Sequence, residues 1–169
     1  MKAKFIINPS SGRKIFQQAV QGLLKKMSKD GKFDAIDAFY TEGRMDAYRE
    51  AKVIRSGDYD IVIAVGGDGT LHEVVNGLMD GGADISFGIV PAGTVNDFGT
   101  YMNTPTNMDK YFNMLMESNT QQIDLGKCNE SYSLHVAAGG MLTSTAYSVP
   151  SGAKTVFGKL AYYASGALE

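Results

Sequence analysis

The sequence is poor in the residues that usually announce chemistry. It holds one cysteine, Cys128, which excludes an internal disulfide and a cysteine-built metal site and is compatible with a reducing compartment. Its two histidines, His72 and His135, lack metal-ligand spacing, and each reads as structural. No apolar run approaches the roughly 18 residues needed to span a bilayer. The N-terminal Met-Lys-Ala-Lys-Phe-Ile-Ile-Asn has too short an apolar run for a signal-peptide core and reads as a strand. There is no large charge excess, and a net charge of -2 argues against a nucleic-acid binder. A Gly-x-x-x-x-Gly-Lys-Ser/Thr stretch is missing, which excludes a P-loop. Gly-x-Gly-x-x-Gly is missing too, which weakens a dinucleotide-binding reading. No Ser-His-acid or Cys-His set stands out.

What is present is the composition of a soluble globular protein, 44% hydrophobic and 20% charged, over 169 residues, enough for one domain or one domain and part of another. Charge is uneven only at the start. Within residues 1–32, Lys2, Lys4, Arg13, Lys14, Lys25, Lys26, Lys29 and Lys32 face a single acid, Asp30. That stretch reads either as a solvated helix face or as a contact for an anionic membrane surface.

The first 120 residues alternate strand and helix. Strands are predicted at 4–8, 33–40, 61–65 and 86–90, and helices over 15–27, 45–55, 70–79, 94–101 and 108–116, from apolar spacing and turn residues. Strands separated by helices predict a parallel sheet with helices on both faces. After Asn119 the rhythm changes. Residues 122–127 and 131–138 read as consecutive antiparallel strands around an Asn129-Glu130 turn, so a domain boundary is placed near 120. Residues 1–120 form the α/β unit, and 121–169 begin a β-rich one. Strands of an unfinished sheet leave open edges, from which self-association, as a homodimer or otherwise, is expected.

Polar turns follow the predicted strands at their C-terminal ends, where open α/β sheets bind ligands. They are Asn8-Pro9-Ser10-Ser11-Gly12, Gly66-Gly67-Asp68-Gly69-Thr70, and Pro91-Ala92-Gly93-Thr94-Val95-Asn96-Asp97, with Thr41 after the second strand. The glycine turn at 66–70 runs from an apolar strand straight into a helix, so its backbone N–H groups can approach a phosphate with no Cβ in the way. Asp68 puts a carboxylate where phosphates would sit, which suggests a bound cation. Structural readings stand beside these. Thr70-Leu71-His72-Glu73 fits a capping box, Asp68 fits a turn residue, and Asn96 and Asp97 fit helix caps. Asp124, between Ile123 and Leu125 in a predicted strand, reads either as a hydrogen-bonded structural acid or as part of the site.

These motifs resemble a known family. Gly66-Gly67-Asp68-Gly69-Thr70 is similar to the nucleotide signature of diacylglycerol, sphingosine, ceramide and NAD kinases and, more loosely, of phosphofructokinases. Asn8-Pro9-Ser10-Ser11-Gly12, Pro91-Ala92-Gly93-Thr94-Val95-Asn96-Asp97-Phe98 and Gly158-Lys159-Leu160-Ala161-Tyr162 resemble the diacylglycerol kinase catalytic domain of bacterial lipid kinases. The resemblance implies a phosphofructokinase-like N-terminal fold and an ATP-dependent lipid kinase acting on diacylglycerol or a related lipid. Asn8, Pro9, Ser10, Ser11, Gly12, Gly66, Gly67, Asp68, Gly69, Thr70, Leu71 and His72 would contact the nucleotide, with Thr41, Glu73, Gly93, Thr94, Asn96 and Asp97 also around it. Asp68 would act through Mg2+, and Asp124 would belong to the same carboxylate network. The implied location is cytoplasmic, with transient association at the inner face of the membrane and no nucleic-acid partner.

The chain departs from the family in its second half. Members run to about 300 residues, and their proposed general base is a glutamate in an Asp-Gly-Glu or Gly-Gly-Glu motif that is missing here after residue 120. The chain is therefore expected to be a truncated nucleotide-binding piece with little activity alone, its general base lying beyond Glu169. The rival readings are NAD kinase, for which Asn129-Glu130 would be the ribose-binding pair, and a non-catalytic nucleotide-sensing module.

Overall fold

The structure is a computed structural model that describes residues 1–12 and 14–134. Four strands, β1 (Lys2–Ile7), β2 (Ala35–Tyr40), β3 (Ile61–Gly66) and β4 (Ser86–Pro91), form one sheet in the order β2-β1-β3-β4, every pairing parallel. Five helices accompany them: α1 (Lys14–Asp30), α2 (Asp46–Val53), α3 (Asp68–Gly81), α4 (Asp97–Tyr101) and α5 (Met108–Glu117). A hairpin of β5 (Gly126–Cys128) and β6 (Ser131–Ser133) forms a separate antiparallel sheet.

Side chains alternate across a strand, so each strand feeds two cores. Ala3, Phe5, Ile7, Ile63, Val65 and Val90 point to one face, where α1 supplies Val20, Leu23 and Met27 and α5 supplies Tyr111, Phe112 and Leu115. Ile6, Val62, Ala64 and Ile89 point to the other, covered by α2 through Ala47 and Ala51 and by α3 through Leu71, Val74, Val75 and Leu78. The chain steps from β1 out to β2 with α1 on one face. It then returns past β1 to β3 and on to β4 with α2 and α3 on the other. Right-handed crossovers demand this change of face when the direction reverses. A crevice follows between the C-terminal ends of β1 and β3, where the chain turns to opposite faces of the sheet.

Packing between α2 and α3 is close because glycines line the contact. A Cβ on Gly77 would lie 2.4 Å from the Tyr48 carbonyl oxygen, and one on Gly81 would lie 2.6 Å from that of Lys52. α1 and the residues just after it are tied to both ends of α5. Lys26 pairs with Asp109 at 2.7 Å, and Lys32 donates to the Met116 carbonyl and, at 2.8 Å, to Ser118 Oγ. Lys4 pairs with Glu50 at 2.6 Å. Part of the basic N-terminal stretch is thus committed to internal contacts.

The element order matches the sequence reading, and the boundaries differ where side chains act across the fold. The helix predicted at 70–79 starts at Asp68, with Gly67 as its N-cap and no side-chain cap. The predicted capping box therefore does not form: Thr70 lies inside the first turn, and Glu73 accepts the Met45 N–H at 3.1 Å instead. The short helix predicted from 94 begins at Asp97, because Asn96 sits in the left-handed region at φ 55. In place of the predicted strand at 122–127 only Gly126–Cys128 pairs, and Ile123 and Leu125 pack against the α2/α3 core instead. Asp124 is consequently exposed on unpaired chain, not partly buried in a strand. His135, Gly158-Lys159-Leu160-Ala161-Tyr162 and the end of the strand predicted to 138 lie outside the described residues.

Candidate functional site

The crevice is a polar cleft of about 500 Å³ lined by Asn8, Ser10, Ser11, Thr41, Glu42, Gly43, Arg44, Ala47, Gly67, Gly69, Thr70 and Glu73. It joins the ends of β1 and β2 to the start of α3. The sheet ladder continues past the strands and aligns the turns. Asn8 N–H donates to Val65 O at 2.9 Å, Thr41 N–H to Ile7 O at 2.9 Å, and Ala92 N–H to Gly66 O at 2.7 Å.

Asn8 connects two walls. Its Nδ2 donates to Thr70 Oγ1 at 3.2 Å, while its Oδ1 accepts the Ser10 N–H at 2.9 Å and fixes the turn after β1. Gly12 closes that turn at φ 78, a conformation that favours glycine. Pro9 lines a smaller adjoining cavity with Asn8, Ser11, Phe16 and Tyr40.

The glycines at 66, 67 and 69 serve different purposes. A Cβ on Gly66 would lie 2.4 Å from Thr70 Oγ1, so this position makes room for the Thr70 side chain. Gly67 and Gly93 bring two backbones together: a Cβ on Gly93 would lie 2.6 Å from Gly67 Cα. Only Gly69 of the three has open space where its Cβ would be. The freedom for a phosphate to approach, read from the whole turn, therefore belongs to Gly69. The amides of Asp68, Gly69 and Thr70 begin a helix that no side chain caps, and they carry its positive end.

Asp68 turns toward α4. Its Oδ2 accepts the Asp97 N–H at 3.2 Å and its Oδ1 the Phe98 N–H at 3.3 Å, so it caps the helix on which Asn96 makes no side-chain cap. Asn96 instead closes its own turn, accepting from Gly93 N–H at 2.7 Å and donating to Gly93 O at 2.8 Å. The cap predicted for Asn96 and Asp97 is thus supplied from the first residue of α3. Leu71 is in the core with 1% of its surface exposed, so its side chain makes no part of the cleft. His72 is exposed on α3, and Thr94 and Asp97 are exposed beyond Gly93. Asp124 does not line the cleft.

Over residues 2–128 the chain matches the family model described as the diacylglycerol kinase catalytic domain. The chain belongs to the diacylglycerol kinase catalytic domain family. It is 41% identical over 165 residues to a diacylglycerol kinase of Staphylococcus saprophyticus, covering 98% of this chain and 53% of that protein. It is 40% identical over 164 residues to one from Staphylococcus haemolyticus, covering 97% of this chain and 49% of that protein. The chain thus spans about half the length of the curated relatives it matches. Its fold resembles the crystal structure of a diacylglycerol kinase from Bacillus anthracis strain Sterne, with a TM-score of 0.65 at 25% identity over 78% of this chain and 45% of that one. A second structure from that organism gives a TM-score of 0.67 at 25% identity, covering 78% of this chain and 43% of the other.

In this diacylglycerol kinase family chain, sequence reasoning missed the loop after β2. Asp46 Oδ2 accepts the N–H groups of Glu42 at 2.8 Å and Gly43 at 2.7 Å. Those two amides, and then Arg49, hold the Asp46 carboxyl below its ordinary value. Asn76 was also missed. It is a polar residue on the apolar side of α3, 8% exposed, and it grips the β5–β6 hairpin through both backbone polar groups of Tyr132. A lone asparagine between Val74, Val75 and Leu78 was the available signal. Among the described residues no helix is long and apolar enough to cross a membrane, and no three acidic, histidine or cysteine side chains cluster as a metal site.

Proposed function

We propose that the whole protein transfers the γ-phosphoryl group of ATP to the hydroxyl of diacylglycerol or a related lipid, and that residues 1–169 supply the nucleotide-binding half. The observation that carries this reading is the convergence of the turns after β1, β2 and β3 on one polar cleft at the sheet's switch point, in a chain of this family. Asn8, Ser10, Ser11, Thr41 and Thr70 offer neutral hydrogen-bonding groups for ribose and phosphate, and the amides from Asp68 to Thr70 offer the positive end of α3. Pro9 and Gly12 shape the first turn, and Gly93 packs against Gly67 beside the cleft, with Thr94 and Asn96 in the turn that follows. In the reaction the lipid oxygen bonds to the γ-phosphorus as the bond to the β–γ bridging oxygen breaks, and the hydroxyl proton goes to a base. Positioning and charge neutralisation carry such transfers.

Asp68 fits a single carboxylate ligand for Mg2+. Among the described residues its two oxygens accept only long amide bonds, it stands between Gly67 and Gly69 of the cleft lining, and Mg2+ commonly takes one or two carboxylates together with phosphate oxygens. Bound there, the ion would neutralise phosphate charge. Asp124 enters through the resemblance alone, so Asp124→Asn decides it: lost turnover at unchanged ATP affinity supports a role, and unchanged turnover removes it. The activation of the lipid hydroxyl, the membrane-surface contact, the cytoplasmic location and any self-association belong to this proposal as well.

The test is to incubate the whole protein with labelled ATP and either mixed diacylglycerol micelles or NAD. Labelled lipid supports the reading, labelled NAD phosphate replaces it with NAD kinase, and no labelled product with tight ATP binding favours a nucleotide-sensing module. Asn129-Glu130 occupy the exposed turn between β5 and β6 and do not line the cleft, so no observation favours the NAD reading. The 169-residue chain alone should bind ATP weakly and turn over lipid barely or not at all.

A further inference from the structure

We propose that Arg44 is the cation that holds the polyphosphate of the nucleotide in the cleft, and that it discriminates ATP and ADP from the bare nucleoside. This rests on the nucleotide reading above. Sequence patterns gave no reason to single out Arg44; its place in the folded loop does.

The loop between Thr41 and α2 has much of its backbone spoken for. The Glu42 and Gly43 N–H groups donate to Asp46, and that of Met45 donates to Glu73 across the cleft. Met45 sits in the left-handed region at φ 65, which reverses the chain next to Arg44. These amides cannot also serve an anion. What the loop beyond Thr41 keeps for a phosphate is therefore Arg44, through its side chain and its own N–H.

Arg44 is exposed on the cleft wall and has no hydrogen-bond or ion-pair partner among the described residues. It is also the cation among the described lining residues, which include two carboxylates, Glu42 and Glu73. Asn8, Ser10, Ser11, Thr41 and Thr70 supply hydrogen bonds and no charge. A polyphosphate entering this cleft meets two negative side chains, and Arg44 is the side chain that offsets them. Its planar guanidinium can grip two phosphate oxygens in a fixed parallel fork, a geometry that a lysine ammonium lacks. The carboxylate tethers from Asp46 and Glu73 hold the loop before a ligand arrives, so less ordering is left to be done on binding.

An anionic bilayer is the other source of phosphate. Arg44 lines a cleft that also carries Glu42 and Glu73, and those carboxylates repel an anionic surface. The geometry therefore favours the soluble nucleotide.

The experiment measures calorimetric binding of ATP, ADP and adenosine to the whole protein as wild type, R44Q and R44K. A parallel arm measures pelleting with phosphatidylglycerol vesicles. R44Q should weaken ATP by about tenfold or more, as expected for a charged hydrogen bond, and adenosine by less than about twofold. It should also flatten the salt dependence of ATP binding, and R44K should recover part of the loss. Unchanged ATP affinity, an equal loss for adenosine, or a loss confined to vesicle binding would each overturn the role of Arg44. Wild-type protein that binds no ATP at all would overturn the nucleotide reading itself, a result distinct from a wild type that binds ATP as well as R44Q does.

Discussion

Replacing Asn76 by alanine should release the β5–β6 hairpin from α3 while leaving the parallel sheet intact. Asn76 lies two turns along the helix that begins at the glycine turn. Its Nδ2 donates to Tyr132 O at 2.9 Å and to His72 O at 2.9 Å. Its Oδ1 accepts the Tyr132 N–H at 2.8 Å and the Ser131 hydroxyl at 3.3 Å. The His72 carbonyl is one turn back in the same helix and loses little. The Tyr132 N–H and C=O are different: the side-chain amide pairs with them as a neighbouring strand would, and in its absence both lose their partner. Each such bond is worth about 0.5–1.5 kcal/mol net, so the pair contributes about 1–3 kcal/mol. Tyr132 is half-buried, and water recovers part of its bonding when the hairpin lifts. A working figure is about 2 kcal/mol, which raises the open population of the hairpin by about thirtyfold. Amide hydrogen exchange followed residue by residue reads this directly. Exchange at Tyr132 should accelerate by at least about tenfold in Asn76→Ala, with the β1 and β3 amides unchanged. Asn76→Asp keeps an acceptor for the Tyr132 N–H and loses the donor, so it should fall between. Tyr132 exchange within about twofold of wild type would refute the clasp, and equal acceleration in β3 would show a global effect instead.

Gly93→Ala should destabilise the chain by about 1–3 kcal/mol in urea unfolding, because the new Cβ would press on Gly67 Cα and Asn96 Oδ1 at 2.6 and 2.7 Å. Gly69→Ala meets nothing within 4 Å and lies inside α3, so it should keep or raise stability by up to about 1 kcal/mol while weakening ATP binding. Similar stability losses for both would refute the division of labour among these glycines. Tyr111 is fully buried, and its hydroxyl has no partner among the described residues, so Tyr111→Phe should be neutral or stabilising by up to about 2 kcal/mol. A loss above about 1 kcal/mol would point to a hidden partner. The Asp46 carboxyl has a folded pKa below its ordinary 3.8, so its hold on the Glu42 and Gly43 amides is complete above that value and is lost as pH falls through the lower one. Carboxyl titration by NMR should show Asp46 protonating below 3.8, with those two amides shifting in step; titration at or above that value contradicts the tether.

Residues 61–79 show what was legible. An apolar strand, a glycine turn and a stripe at i, i+3, i+4 and i+7 are local patterns, and each appears where expected. The helix start was misplaced by two residues because Thr70-x-x-Glu73 looks like a capping box in isolation, whereas in the fold Glu73 is drawn away by the Met45 amide. Residues 122–125 failed for a related reason. Their apolar residues suggested a strand, and a nearby helical core took those side chains instead.

The sequence by itself determined the alternation of strand and helix, the polar character of the strand ends and the family. Burial periodicity and turn chemistry are written within a few consecutive residues. Tertiary structure alone decided which glycine faces open space, which helix Asp68 caps, what Asn76 grips and where Arg44 lies. Those partners are distant in the chain: Asp68 reaches Phe98 across 30 positions, Asn76 reaches Tyr132 across 56, and Asn8 reaches Thr70 across 62. Each contact depends on the angle and depth at which packed elements meet, and no local pattern of residues encodes that.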